Sequence, residues 1–264
     1  MTLAYVVLAT FTGGVLSLLG SMLLITGFPQ RWLPRLVGFA AGVLLAVALL
    51  EVLPEAFESG VEPHQLFMTL LVGLLAFYGL ERAALWRHAH VDEHGHDHYC
   101  PTDSHSHGMS DRLGKPTVLS VMLGDGFHNF VDGVLVAASF LVNPALGWST
   151  AFAIVAHEIP QEAGDFVIMR TAGLSKLRAL SLNAASCVMS IFGGIVGCLA
   201  LVHLQGALPY ILCVSAASFL YISISDLLPM LRRESHRHTS MWQTVAMILG
   251  VVAVAVGVGL HGHH

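Results

Sequence analysis

Eight stretches of about 20 residues, roughly 3–25, 36–57, 66–86, 118–142, 147–169, 180–202, 208–229 and 241–260, are apolar enough to cross a hydrocarbon core. Only helices and closed barrels satisfy every backbone group there, and runs of this length predict helices. Composition agrees: 55% of the 264 residues are hydrophobic, 11% are Asp, Glu, Lys or Arg, and the mean hydropathy is +0.72. A soluble domain carries about 25% charged residues. An all-α, polytopic membrane protein is therefore expected, with the lipid bilayer as its solvent and no nucleic-acid partner.

All twelve Lys and Arg fall in or beside alternate connections: Arg31 and Arg35; Arg82, Arg87, Arg112 and Lys115; Arg170, Lys176 and Arg178; Arg232, Arg233 and Arg237. The connections near 58–65, 143–146 and 203–207 contain none. By the positive-inside rule this alternation predicts an even number of spans with both termini outside the cytoplasm. No basic residue precedes Arg31, so the first span reads as a retained helix rather than a signal peptide. A short chain without a targeting segment points to a bacterial inner membrane.

Two of the eight stretches hold ionisable side chains in their interiors. The fourth carries Asp125, His128 and Asp132, with Asn129 one step round; the fifth carries His157, Glu158, Gln161, Glu162 and Asp165. Charge at membrane depth is costly and is retained where something is bound or conducted. Spacings of three and four keep Asp125, His128 and Asp132 on one helical stripe, and the pairs His157/Gln161 and Glu158/Glu162 each share a face. Mixed imidazole and carboxylate groups brought together by two adjacent helices suit a divalent cation of borderline softness, Zn²⁺ above Ca²⁺ or Mg²⁺. Pro160 frees the Ala156 carbonyl and, with Gly164, permits a bend around such a site.

Further candidates flank this centre. Glu51 and Asp226 each precede a proline, Pro54 and Pro229, by three residues near the end of an apolar stretch. The parallel suggests that helices 1–3 and 6–8 are inverted repeats around helices 4 and 5, a 3+2+3 arrangement. Residues 88–107 hold seven of the sixteen histidines, among them His94, His96 and His98, with Cys100 and several acids. With little apolar surface to bury, 88–115 reads as a flexible, metal-catching cytoplasmic loop within one 264-residue domain. Small residues in the first stretch, including Ser17 and Ser21, read as packing, and Cys187, Cys198 and Cys213 as small apolar fillers.

The segments His128-Asn129-Phe130-Val131-Asp132-Gly133 and His157-Glu158-Ile159-Pro160-Gln161-Glu162-Ala163-Gly164-Asp165 closely resemble the paired signatures of the ZIP family of divalent-metal transporters. The resemblance extends to eight spans, a histidine-rich connection after helix 3 and the acid-x-x-Pro ends of helices 2 and 7. It implies a transporter rather than an enzyme, without an organic cofactor, that moves Zn²⁺ and can extend to Fe²⁺, Mn²⁺ or Cd²⁺. By resemblance the primary site falls on His128, Asp132, His157 and Gln161, with a neighbouring site using Asn129, Glu158 and shared carboxylates such as Glu162. Glu51, Asp125, Asp165, Asp226, His94, His96 and His98 are accessory candidates. The chain departs from many family members at Gln161 and Glu51, where histidine is common; a neutral oxygen at 161 weakens the bias toward Zn²⁺. The resemblance also implies motion of helices 1, 4, 5 and 6 against 2, 3, 7 and 8, and leaves a homodimer open. A metal-sensing membrane protein that does not transport is the competing expectation. An intramembrane metalloprotease is disfavoured, because Gln161 replaces the second histidine of a His-Glu-x-x-His site.

Overall fold

Charge and proline in this sequence are placed where helices begin, end or wind differently. The computed structural model describes residues 1–27, 32–92, 115–233 and 237–261, and every regular element among them is helical. In chain order we number α1 (Thr2–Thr26), α2 (Leu33–Glu58), α3 (Pro63–Asp92), α4 (Lys115–Val142), α5 (Pro144–Thr171), α6 (Lys176–Leu201), α7 (residues 208–233) and α8 (Arg237–His261). Six described segments are long and apolar enough to cross a membrane: all of α1, α2 and α6, Pro63–Leu80 of α3, Gln205–Ser225 into α7, and Met241–Gly259 of α8. Helices α4 and α5 fall outside that set because they carry the interior ionisable groups. The chain is an all-α, multi-spanning integral membrane protein.

Helix boundaries depart from the sequence expectation where capping chemistry decides them. The basic-free connection expected near 143–146 shrinks to Asn143, whose side chain accepts from the Ala145 N–H at 2.8 Å, with Pro144 supplying the first helical residue. Helix α3 continues to Asp92, so residues 88–92 are helical rather than part of a loop. Residues 93–114, with His94, His96, His98 and Cys100, lie outside the described residues, as do His263 and His264. Helix α5 runs unbroken through Pro160 and Gly164.

The two acid-x-x-Pro sites share an unusual winding. Helix α2 turns π-helical over Ala48–Val52, and the Leu53 N–H reaches back five residues to the Ala48 carbonyl. Helix α7 does the same over Ile222–Leu227, with the Leu228 N–H on the Ser223 carbonyl. In both, the next residue is the proline, which cannot donate to the regular ladder. Glu51 and Asp226 stand inside these stretches; the Asp226 side chain is outside what is described. The Ser223 hydroxyl donates to the Ala41 carbonyl at 3.1 Å, tying one wound stretch to the other helix.

Close packing is built on glycine. Gly133 of α4 lies against the Ser190 carbonyl, and Gly193 of α6 against the Phe130 carbonyl; a Cβ at either would overlap backbone. Gly42 meets the Met247 carbonyl and Gly250 the Phe39 carbonyl where α2 crosses α8. Without a hydrophobic drive between helices in lipid, such close approach supplies the van der Waals contact that holds them. Helix α4 packs on α6 and α1 on α5; α2 packs on α8 and α3 on α7; α4 meets α5 at the centre. Between the ends of α2, α4, α6 and α7 lies a cavity of about 620 Å³, lined by Glu55, Glu58, Gln205 and apolar residues including Leu141, Val142 and Leu212.

Candidate metal centre

Where α4 and α5 cross, the i, i+4 pair His128 and Asp132 meets His157 of the neighbouring helix. The Nε2 atoms of His128 and His157 are 3.2 Å apart, and Asp132 Oδ2 lies 3.5 Å from the first and 3.4 Å from the second. Tetrahedral zinc, with ligands at about 2.0–2.1 Å, sets its donors about 3.3 Å apart. The three atoms thus form one face of such a coordination shell, and they are the one group of this kind among the described residues.

Orientation supports ligation as well as spacing. His157 Nδ1 lies 3.1 Å from the Ala153 carbonyl, which can only accept, so Nδ1 carries the proton and the Nε2 lone pair faces His128 and Asp132. Both Asp132 oxygens are buried and receive no well-aligned hydrogen bond. Asp132 and His157 are shut off from solvent, whereas the His128 side chain is 21% exposed, so the site opens on the His128 side. The His157 ring faces Phe219 of α7 at 6.5 Å between centroids, which puts the centre against α7.

The remaining sequence candidates are distributed around this triangle. Asp125 Oδ1 accepts from the Asn129 amide at 3.1 Å and from the Gln161 amide at 3.3 Å, so Gln161 turns its nitrogen toward Asp125. Asn129 also donates to the Asp125 carbonyl at 3.1 Å, while its Oδ1 is buried and accepts nothing. Glu158 is buried with Oε1 free of hydrogen bonds, among the carboxylates of Asp132 and Glu162. Glu51 accepts from Ser149 of α5 at 2.9 Å, away from the triangle. Asp165 is half-buried further along α5.

Glu162 has a different setting. Its Oε1 accepts from Ser17 at 2.8 Å and from the Cys187 thiol at 3.0 Å, and its Oε2 accepts from Ser21 at 3.1 Å. The Asn183 amide adds a bond at 3.0 Å to the Glu162 carbonyl. One buried carboxylate therefore joins α1, α5 and α6. Ser17 and Ser21, expected as packing residues, and Cys187, expected as filler, each donate to this carboxylate. The signal available was their spacing of four, a polar stripe on α1 able to face an acid. Replacing both serines by alanine should lower stability by about 2 kcal/mol, because it strips donors from a buried carboxylate. Thermal unfolding in detergent reads this; an unchanged midpoint would show that the hydroxyls do not hold Glu162.

Comparison with known proteins places the chain. The ZIP Zinc transporter family profile matches residues 2–113 and 86–257. The chain is 38% identical over 140 residues to the zinc transporter foi of Drosophila melanogaster, covering 53% of this chain and 19% of that protein. It is 29% identical over 262 residues to human zinc transporter ZIP13, covering 85% and 70% respectively. To the metal cation symporter ZIP14 of Xenopus tropicalis it is 29% identical over 254 residues, covering 76% and 54%. The chain thus spans only about a fifth of the fly protein's length and about half of the frog protein's. These relatives, with further ones from fish, ape and nematode, are animal proteins, which overturns the bacterial inner membrane as the expected location; what stands is an integral membrane protein. Together with the matched length, the two signature helices lead to one assignment: the chain belongs to the ZIP family of zinc transporters.

Proposed function

We propose that this protein carries divalent cations across the membrane toward the cytoplasm, with Zn²⁺ the main cargo and Fe²⁺, Mn²⁺ or Cd²⁺ as further substrates. The observation that carries the reading is the triangle of His128, Asp132 and His157, whose edges match a tetrahedral zinc face at the crossing of α4 and α5. Family membership and the names of the relatives, a zinc transporter and a metal cation symporter, support the same class. The cation exchanges its water shell for two imidazoles and a carboxylate, with Gln161 assisting; Asn129, Glu158 and Glu162 accept it or hand it on.

Eight spans in inverted 3+2+3 order complete the reading, with α4 and α5 also crossing the membrane. The helix contacts support it: exchanging α1 with α6, α2 with α7, α3 with α8 and α4 with α5 turns the α4–α6 contact into α5–α1 and the α2–α8 contact into α7–α3. The paired π-helical stretches obey the same exchange. Helices α1, α4, α5 and α6 then form one body moving against α2, α3, α7 and α8, with the metal centre facing the seam.

The test is ⁶⁵Zn²⁺ uptake by sealed proteoliposomes of known orientation, against protein-free vesicles, with Mn²⁺, Fe²⁺ and Cd²⁺ as competitors. Accumulation well above the protein-free level is expected. Folded protein that binds zinc yet moves none under an imposed metal or proton gradient would overturn transport and leave sensing as the activity.

A further inference from the structure

Two amide side chains stand beside the metal triangle, and each could present either its oxygen or its nitrogen to a passing cation. An amide that turns its NH₂ toward a cation repels it, whereas one that turns its carbonyl oxygen offers a neutral ligand. What decides the orientation is the group at the amide's other side. For both Asn129 and Gln161 that group is Asp125 Oδ1, at 3.1 and 3.3 Å. An ionised carboxylate only accepts, so both NH₂ groups must turn to it and both oxygens turn away. Asn129 is pinned twice, since its nitrogen also donates to the Asp125 carbonyl at 3.1 Å. Its oxygen, in a side chain 1% exposed, is left without a hydrogen bond, a state that costs stability unless something else uses the oxygen.

Building on the transport reading above, we propose that Asp125 is a positioning residue that locks Asn129 and Gln161 with their carbonyl oxygens toward the cation path, and so sets how well oxygen-preferring ions compete with Zn²⁺. The placement fits this role. Asp125 is buried one turn before His128 on the same stripe of α4, and its carboxylate bridges from α4 to Gln161 of α5. It reaches the cation through two amides rather than directly, because it is absent from the converging triangle. Mn²⁺, which favours carbonyl and carboxylate oxygen, gains more from fixed amide oxygens than Zn²⁺, which takes its main hold on the two imidazoles.

The experiment measures concentration dependence of Zn²⁺ and Mn²⁺ uptake in proteoliposomes for wild type, Asp125→Asn, Asn129→Ala with Gln161→Ala, and the triple variant. Asparagine at 125 keeps the shape but lets the amides turn either way. We expect Asp125→Asn to raise KM for Mn²⁺ about tenfold and for Zn²⁺ by no more than about threefold, with kcat for each ion changing less than KM. In the background lacking both amides the same change at 125 should add nothing, since the coupling runs through them. An equal rise for both ions, or an effect of undiminished size in that background, would overturn the assignment. If Asp125→Asn does not fold, the two-amide variant carries the test alone: it must itself shift the Mn²⁺-to-Zn²⁺ ratio, and an unchanged ratio refutes the role of the amide oxygens. Wild-type Zn²⁺ uptake with no such shift would sink this inference while leaving transport intact.

Discussion

Replacing His128 and His157 together by alanine is expected to reduce zinc uptake at least ~100-fold, to the level of protein-free vesicles. Without both imidazoles the triangle is reduced to Asp132, a single carboxylate that must compete with the full water shell of the ion. His157 supplies a lone pair that is already aimed through the Ala153 carbonyl, and His128 Nε2 stands 3.2 Å from it, one turn from Asp132. Folding is checked by size-exclusion profile and thermal unfolding; a well-folded double variant that still carries zinc at the wild-type rate would place the path elsewhere.

The second large effect concerns packing. Gly133→Ala, the addition of one methyl group, should destabilise the protein by about 3 kcal/mol or more, the upper range for overpacking. The new Cβ would coincide with the Ser190 carbonyl and crowd the Gly194 nitrogen, and backbone of α6 cannot yield as a flexible side chain would. Since Gly133 directly follows Asp132, any retreat of α4 also moves the carboxylate out of the triangle. Gly124→Ala, nine residues earlier on the same helix with open space around it, should be neutral or slightly stabilising. Thermal unfolding of the two variants side by side tests the contrast; equal midpoints would show that α4 and α6 are not in tight contact.

Much of the centre can be read along the chain because it is built from periodicity. His128 and Asp132 share a stripe by their spacing of four, and His157 is the first ionisable group in the interior of the next apolar stretch. The same rule paired His157 with Gln161, yet a helical face does not say which way an amide turns, and that depends on Asp125, 36 residues away in sequence. The hydrogen bonds of Glu162 escape sequence reading for a related reason: its partners Ser17 and Ser21 lie 145 and 141 residues away, beyond any local pattern. Capping residues, by contrast, are local, and Asn143-Pro144 can be recognised as a helix start once the preceding helix is allowed to end at Val142. Among the described helices six segments are long and apolar enough to cross a membrane, and α4 and α5 are not among them, because the polar side chains of the candidate centre lower their hydropathy.

The π-helical stretch in α2 carries a consequence for how this helix is aligned with others. Regular winding advances about 100° per residue, so one additional residue shifts the phase of everything after it by that angle. Leu33–Val47 and Leu53–Glu58 are therefore two helical registers joined at Ala48–Val52. A helical wheel drawn straight through Leu33–Glu58 would assign Glu55 and Glu58 to the wrong azimuth. Their place in the wall of the cavity belongs to the second register.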